Sequence, residues 1–265
     1  MPTEHLTYST YLRLEDLLSA QTLKSQDQEH DEMLFIIIHQ VYELWFKQML
    51  HEFDHLIGML RSGQPSDRIR CLHTLHRILT ILKTVVSQID VLETMTPLEF
   101  NAFRGFLEAA SGFQSAQFRE IEFLLGRKHP NHLKHFEDHP TAHEHLRRRY
   151  HEPTLWDAFL SHLNQSGYTI PDSQLQRDIT QAVEASPEVQ AVIVEVYRND
   201  PALTQLCERL VDLDEGLQEW RYRHVKMVER TIGMKRGTGG SPGVGYLATT
   251  LTPFFPDLWA IRVQL

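Results

Sequence analysis

Between Pro201 and Gly233, apolar side chains recur at alternating steps of three and four residues without a break, and no other stretch constrains the fold more. The stripe reads Leu203, Leu206, Leu210, Leu213, Leu217, Trp220, His224, Met227 and Thr231. Such steps place every member on one face of a helix. With proline suited to the first turn and glycine to the stop, a helix is expected over about Pro201–Ile232. Helical periodicity governs the rest of the chain as well, and no run alternates like a strand for long. The expected class is all-α, a single-domain helical bundle over residues 1–265 with long central helices. There is no internal repeat and no linker long enough to mark a second domain.

A second long helix is expected from about Asp27 to Leu60, stopped by Gly63. One of its stripes reads Phe35, His39, Tyr42, Phe46, Met49, Phe53, and another reads Leu34, Ile38, Val41, Trp45. Apolar on two faces, its first half is expected to be buried nearly all round. A third helix follows over about Asp67–Leu92. Thr96-Pro97-Leu98-Glu99 reads as a capping box opening a helix that carries Phe100, Phe103, Arg104 and Leu107. Ser111-Gly112-Phe113-Gln114 repeats that logic and is expected to start a helix ending at Gly126, so the corner at 110–112 aims Arg104 and Ser111 towards one region.

Residues 127–153 are polar and His-rich, broken by Pro130, Pro140 and Pro153, and read as a surface excursion with at most short helices. Shorter helices are expected near Leu155–Asn164 and Pro187–Arg198, the latter capped by Ser186. Residues 237–245 hold five glycines in nine, which suits a mobile or ligand-embracing loop and no packed element.

Composition narrows the function classes. A formal net charge of -9 argues against nucleic acid and anionic membranes, whose phosphates need a basic partner. No stretch approaches membrane-spanning length and residues 1–10 lack an apolar signal core, so the cytoplasm is the expected location. Cys71 and Cys207 have no CxxC spacing; two lone thiols fit a reducing compartment, with one disulfide as the alternative.

His39 and His224 each sit on an inward stripe of a long apolar helix. They read either as core histidines satisfied by neighbours or as a metal site, and haem iron suits a helical pocket of Phe, Met, Trp and Leu. Spacing alone does not separate these. His51-Glu52-Phe53-Asp54-His55 fits the H-E-x-x-H zinc signature, yet Arg61 stands where a metzincin places its third histidine. A di-iron bundle needs two Glu-x-x-His pairs, and the chain offers only Glu52 with His55. Histidines 129, 132, 135, 139, 143 and 145 read as compositional, with surface metal binding as the alternative. Arg104, among Phe100, Phe103 and Phe106, either lays its stem on hydrophobes at the surface or clamps a carboxylate bidentately.

Several motifs in order then resemble the tryptophan 2,3-dioxygenase family. They are Tyr8-Ser9-Thr10-Tyr11-Leu12, His30 to Ile37 running on to His39-Gln40, Glu43-Leu44-Trp45, Leu92-Glu93-Thr94, Phe103-Arg104, residues 111–115, Trp220-Arg221 with His224, and Lys235 to Ser241. The resemblance spans residues 8 to about 258 and is weak in the His-rich excursion. Pro242 stands where the family commonly has a second serine, and the arm before Tyr8 is short.

The resemblance implies an all-α fold enclosing haem b, one per subunit and ferrous when active, in a homotetramer built as a dimer of dimers. His224 would be the axial iron ligand and His39 the distal histidine, hydrogen-bonded to the indole N–H. Arg104 would bind the substrate carboxylate, while Thr238 and a haem propionate would bind its ammonium. Phe35, Phe100, Leu107 and Ser111 would line the pocket. Tyr8, Tyr11 and Leu12, in an arm over residues 1–25, would reach in from a neighbouring subunit. The implied reaction is cleavage of the indole C2–C3 bond of L-tryptophan by O2, giving N-formylkynurenine, the first step of the kynurenine route. The alternatives are a sibling haem enzyme inserting one oxygen atom into a modified tryptophan, a zinc hydrolase, and a haem sensor without turnover, for which a carboxylate clamp has no use.

Overall fold

The computed structural model describes residues 5–26, 28–64, 67–108, 110, 112–233 and 250–265, and the described residues contain helices and turns but no strand. The arm forms two short helices, α1 (Tyr8–Leu12) and α2 (Leu14–Leu18). Two long helices follow, α3 (His30–Ser62) and α4 (Asp67–Leu92). Next come α5 (Pro97–Arg104), α6 (Ala116–Leu124), α7 (Asn131–Lys134), α8 (Pro140–Tyr150), α9 (Leu155–Gln165), α10 (Asp172–Leu175) and α11 (Pro187–Asn199). The long α12 (Pro201–Ile232) and a short α13 (Pro256–Ala260) complete the order of α-helices among the described residues.

The expected stripes form these helices. Gly63 ends α3 in the left-handed region at φ 65°, a conformation costly for a residue with a Cβ. Asp200 caps α12 by accepting from the backbone N–H groups of Ala202 and Leu203, and Thr96 and Glu99 form the expected capping box on α5. The short link between α3 and α4 makes them antiparallel neighbours, and Tyr42 Oη donates to the Val85 carbonyl across the pair. On its other side α4 packs against α12. Leu82 of α4 packs directly on Gly216, where a Cβ would lie 2.8 Å from Leu82 Cδ2. Behind α3, α9 adds Trp156, Phe159 and Leu163 to the core. The C-terminal segment is held on α12 by the fully buried Asp214, which accepts from the Phe254 and Phe255 N–H groups and from Trp259 Nε1.

Three expectations need correction. The first half of α3 is not covered all round: Met33, Ile37 and Leu44 are exposed, because among the described residues no element packs on that side. Ser111 lies outside the described residues; Gly112–Gln114 is a 3-10 turn, and it is Ser115 that caps α6, accepting from the Phe118 N–H. The 127–153 segment does more than cross the surface. It carries α7 and the three-turn α8, which folds back on α6 and buries Phe136, Leu146 and Tyr150 against Phe123. Arg149 ties α8 to Asp54 on α3 with two bonds of 2.6 and 3.0 Å. Most of its histidines remain exposed, and the described residues contain no group of three or more metal-capable side chains. Both cysteines are free and buried, and no described helix is long and apolar enough to cross a membrane.

Candidate functional site

At one end of the bundle the amino-terminal half of α3, the end of α4 and the carboxy-terminal half of α12 enclose a cavity, closed over by α5 and the start of α6. Its walls are largely apolar and aromatic. Phe46, Phe118 and Trp220 form one cluster, with ring centroids 4.9 to 6.2 Å apart. Phe35, Phe100 and Phe103 form a second, at 5.4 to 5.8 Å.

His39 and His224 both line this space, brought to it from α3 and α12. Burial pushes both imidazoles below their ordinary value, His224 to about 4, and each also feels or exerts the other's charge there. Both are therefore neutral at pH 7. His39 Nδ1 lies 2.7 Å from the Phe35 carbonyl. A carbonyl only accepts, so Nδ1 carries the proton and Nε2 keeps its lone pair. His224 stacks on Trp220 with centroids 5.3 Å apart and planes 5° apart.

Arg104 and Leu107 line the same cavity, as do Phe35 and Phe100. Six of the residues singled out in sequence thus meet in one place. Ser111 and Thr238 lie outside the described residues. Tyr8, Tyr11 and Leu12 are exposed on α1 and do not line the cavity of their own chain.

The zinc reading loses its base. Glu52 is buried and engaged by Arg77 Nη1 at 3.1 and 3.2 Å and by Gln48 Nε2 at 2.7 Å, while His51 and His55 lie exposed.

Sequence reasoning missed a charged cluster in the wall. Glu122, 1% exposed, pairs with Arg119 on its own helix and with Arg221 on α12. Those guanidiniums hold its carboxyl below the ordinary value against a large burial cost. Arg119, Glu122 and Arg221 all line the cavity. Arg221 Nε is buried without a hydrogen-bond partner among the described residues. The available signal was Glu122 itself, a lone charge in the apolar run Ile121 to Leu125, and Arg221 one turn before His224. Glu43, held by Gln117 Nε2 at 2.7 Å, also faces the cavity and was not anticipated.

These residues fit a haem. The walls suit a flat apolar macrocycle, a neutral imidazole is the form that ligates iron, and an arginine pair with an unused buried N–H suits the macrocycle's carboxylates.

Known proteins point the same way. The family described as tryptophan 2,3-dioxygenase matches residues 2–167 and 173–265. A tryptophan 2,3-dioxygenase of Herpetosiphon aurantiacus is 62% identical over 263 residues, covering 99% of this chain and 100% of the relative. One from Anaeromyxobacter sp. is 53% identical over 100% of this chain and 99% of its own. One from Caulobacter vibrioides is 45% identical over 99% of both.

Proposed function

This chain belongs to the tryptophan 2,3-dioxygenase family, and from that premise we propose that it cleaves the indole C2–C3 bond of L-tryptophan with O2 to give N-formylkynurenine. The observation that carries the reading is the pair of neutral histidines, from α3 and α12, on one apolar cavity that also receives Arg104.

His224 would hold the iron of haem b, and Arg119 and Arg221 would take its propionates. Ferrous haem supplies the oxygen chemistry when bound. The protein's own residues do the rest. With its Nδ1 proton committed to Phe35, His39 offers Nε2 to accept from the indole N–H, which fixes the ring's orientation. Phe35, Phe100 and Leu107 enclose the indole and exclude water, while Arg104 pairs with the substrate carboxylate. Ser111 would line the pocket, and the Thr238 oxygen would accept from the substrate ammonium. Tyr8, Tyr11 and Leu12 would cover a neighbour's pocket in a homotetramer. Their exposure, and that of Met33, Ile37 and Leu44 on α3, supports an assembly that covers them.

The test is the absorption spectrum of the purified protein with and without L-tryptophan, together with product formation. A Soret band shifted by L-tryptophan and formation of N-formylkynurenine are expected; a colourless protein that retains zinc after dialysis overturns the reading. His224→Ala is expected to lose haem with helical content intact, and His39→Ala to keep haem but turn over slowly. Loss of haem from His39→Ala instead would reverse the two roles.

A further inference from the structure

Arg127 follows the end of α6 and does not line the cavity, yet it reaches across the fold to one of the residues that do. Its Nη1 donates to the Thr250 carbonyl at 3.0 Å, and its Nη2 to the Thr252 carbonyl and hydroxyl at 2.8 Å each. The guanidinium lies over the Phe254 ring, 4.5 Å from its centroid. Arg221 Nη1 donates to the same Thr250 carbonyl at 3.1 Å. Both guanidiniums are balanced by Glu122, with Arg127 4.0 Å from it. Thr250 therefore takes its place in the cavity wall from two arginines on different elements, and Thr252 is held by Arg127. The Asp214 bonds to Phe254 and Phe255 pin the same segment further along.

We propose that Arg127 is a positioning residue for substrate binding: by clipping Thr250 and Thr252 to the end of α6, it fixes the wall that Thr250 contributes and so sets substrate affinity without touching substrate. This rests on the cavity being the tryptophan site. A planar fork serves two carbonyls and a hydroxyl at once, which an ammonium does not reproduce. When a binding-competent arrangement is only partly populated, apparent affinity falls by that fraction. Chemistry in the filled site is unchanged, so the loss falls on KM and Kd and leaves kcat alone.

The experiment compares wild type with Arg127→Gln, Arg127→Lys and Thr252→Val, and with Arg262→Gln as a control. Arg262 pairs with Glu208 at 2.7 Å and does not line the cavity, so its loss reports the general effect of breaking an arginine clamp. Haem content, kcat, KM and the tryptophan Kd from the Soret shift are measured for each. Arg127→Gln is expected to raise KM and Kd together by about five-fold or more, with kcat and haem content as in wild type. Arg127→Lys should fall between the two. Thr252→Val loses one acceptor and keeps both carbonyls, so its rise should be smaller; it carries the test if Arg127→Gln does not fold. Arg262→Gln should leave KM unchanged. Wild-type KM and Kd in the Arg127 variants overturn the proposal, as does an equal rise in Arg262→Gln or a fall in kcat with loss of haem. A wild type that neither binds nor cleaves tryptophan overturns the functional reading and this proposal with it; an active wild type with unaltered variants overturns this proposal alone.

Discussion

Among single residues, Glu122 bears the greatest electrostatic load. Removing a carboxylate from water costs several kcal/mol, and here surrounding guanidiniums offset it. The converse also holds, because Arg119 and Arg221 are buried together with the acid that neutralises them. Glu122→Gln keeps the shape and removes the charge that pairs with Arg119 and Arg221 beside an apolar wall. It is expected to lower unfolding stability by about 3–5 kcal/mol, measured by urea denaturation with haem loading followed in parallel. A loss under about 1 kcal/mol would mean that solvent reaches the cluster and screens it. His39 shows the opposite economy: one hydrogen bond to its own helix's backbone selects its tautomer.

At the scale of the element, the bundle depends on how closely its long helices approach. Glycine within a helix costs about 1 kcal/mol relative to alanine, so Gly216 in α12 needs a packing reason. Leu82 of α4 supplies it: a Cβ at 216 would meet Cδ2 at 2.8 Å and Cγ at 3.4 Å. Leu82 is itself buried, so its side chain has little room to turn away. Overpacking costs about 1–3 kcal/mol and outweighs the helix propensity gained. Gly216→Ala is therefore expected to destabilise the fold by about 1 kcal/mol. Leu82→Val in the same chain shortens the clashing branch, so the double variant should lose less than the sum of the two single changes. Thermal or urea unfolding of the three variants measures this, and simple additivity would show that the two helices do not meet there. The same pair of helices carries Ile89 and Leu92 on one side and His224 on the other into the cavity wall, which makes their spacing matter for the site as well.

For the whole molecule, the surface left uncovered is the informative feature. Tyr8 and Tyr11 are 76% and 70% exposed, and α1 rests on little besides α2. Aromatic rings so placed near a chain end gain nothing from their own chain's core. Deleting residues 1–12 is expected to leave haem bound while weakening tryptophan binding and loosening the oligomer, read by Soret titration and sedimentation. Arg104→Leu in a full-length chain should raise KM steeply, since truncating one side of a charged pair costs about 2–5 kcal/mol. Mixing the two variants restores one complete site wherever an intact arm meets an intact pocket, so activity should reappear. Proven mixed assembly without recovered activity would show that each arm serves its own chain.

Periodicity and capping were enough to define the helices, because both act within a few residues. The stripes at 35–53 and 203–231, the box at Thr96 and the stops at Gly63 and Gly233 each predicted an element that forms. The motifs around His39, Arg104 and His224 made the family and the outline of the site legible for a different reason: chemistry restricts which residue types can stand there. What lies opposite each face was not legible. Neighbouring isoleucines on α3 end differently, Ile38 buried and Ile37 exposed, and the polar composition of 127–153 concealed a small core around Phe123. Glu122 reads as an interruption of an apolar run until Arg221, 99 residues on, is seen beside it. Local pattern determined where the helices run, whereas burial, ion pairing and the cavity were decided by partners distant in sequence, whose free energies depend on what each side chain meets after folding.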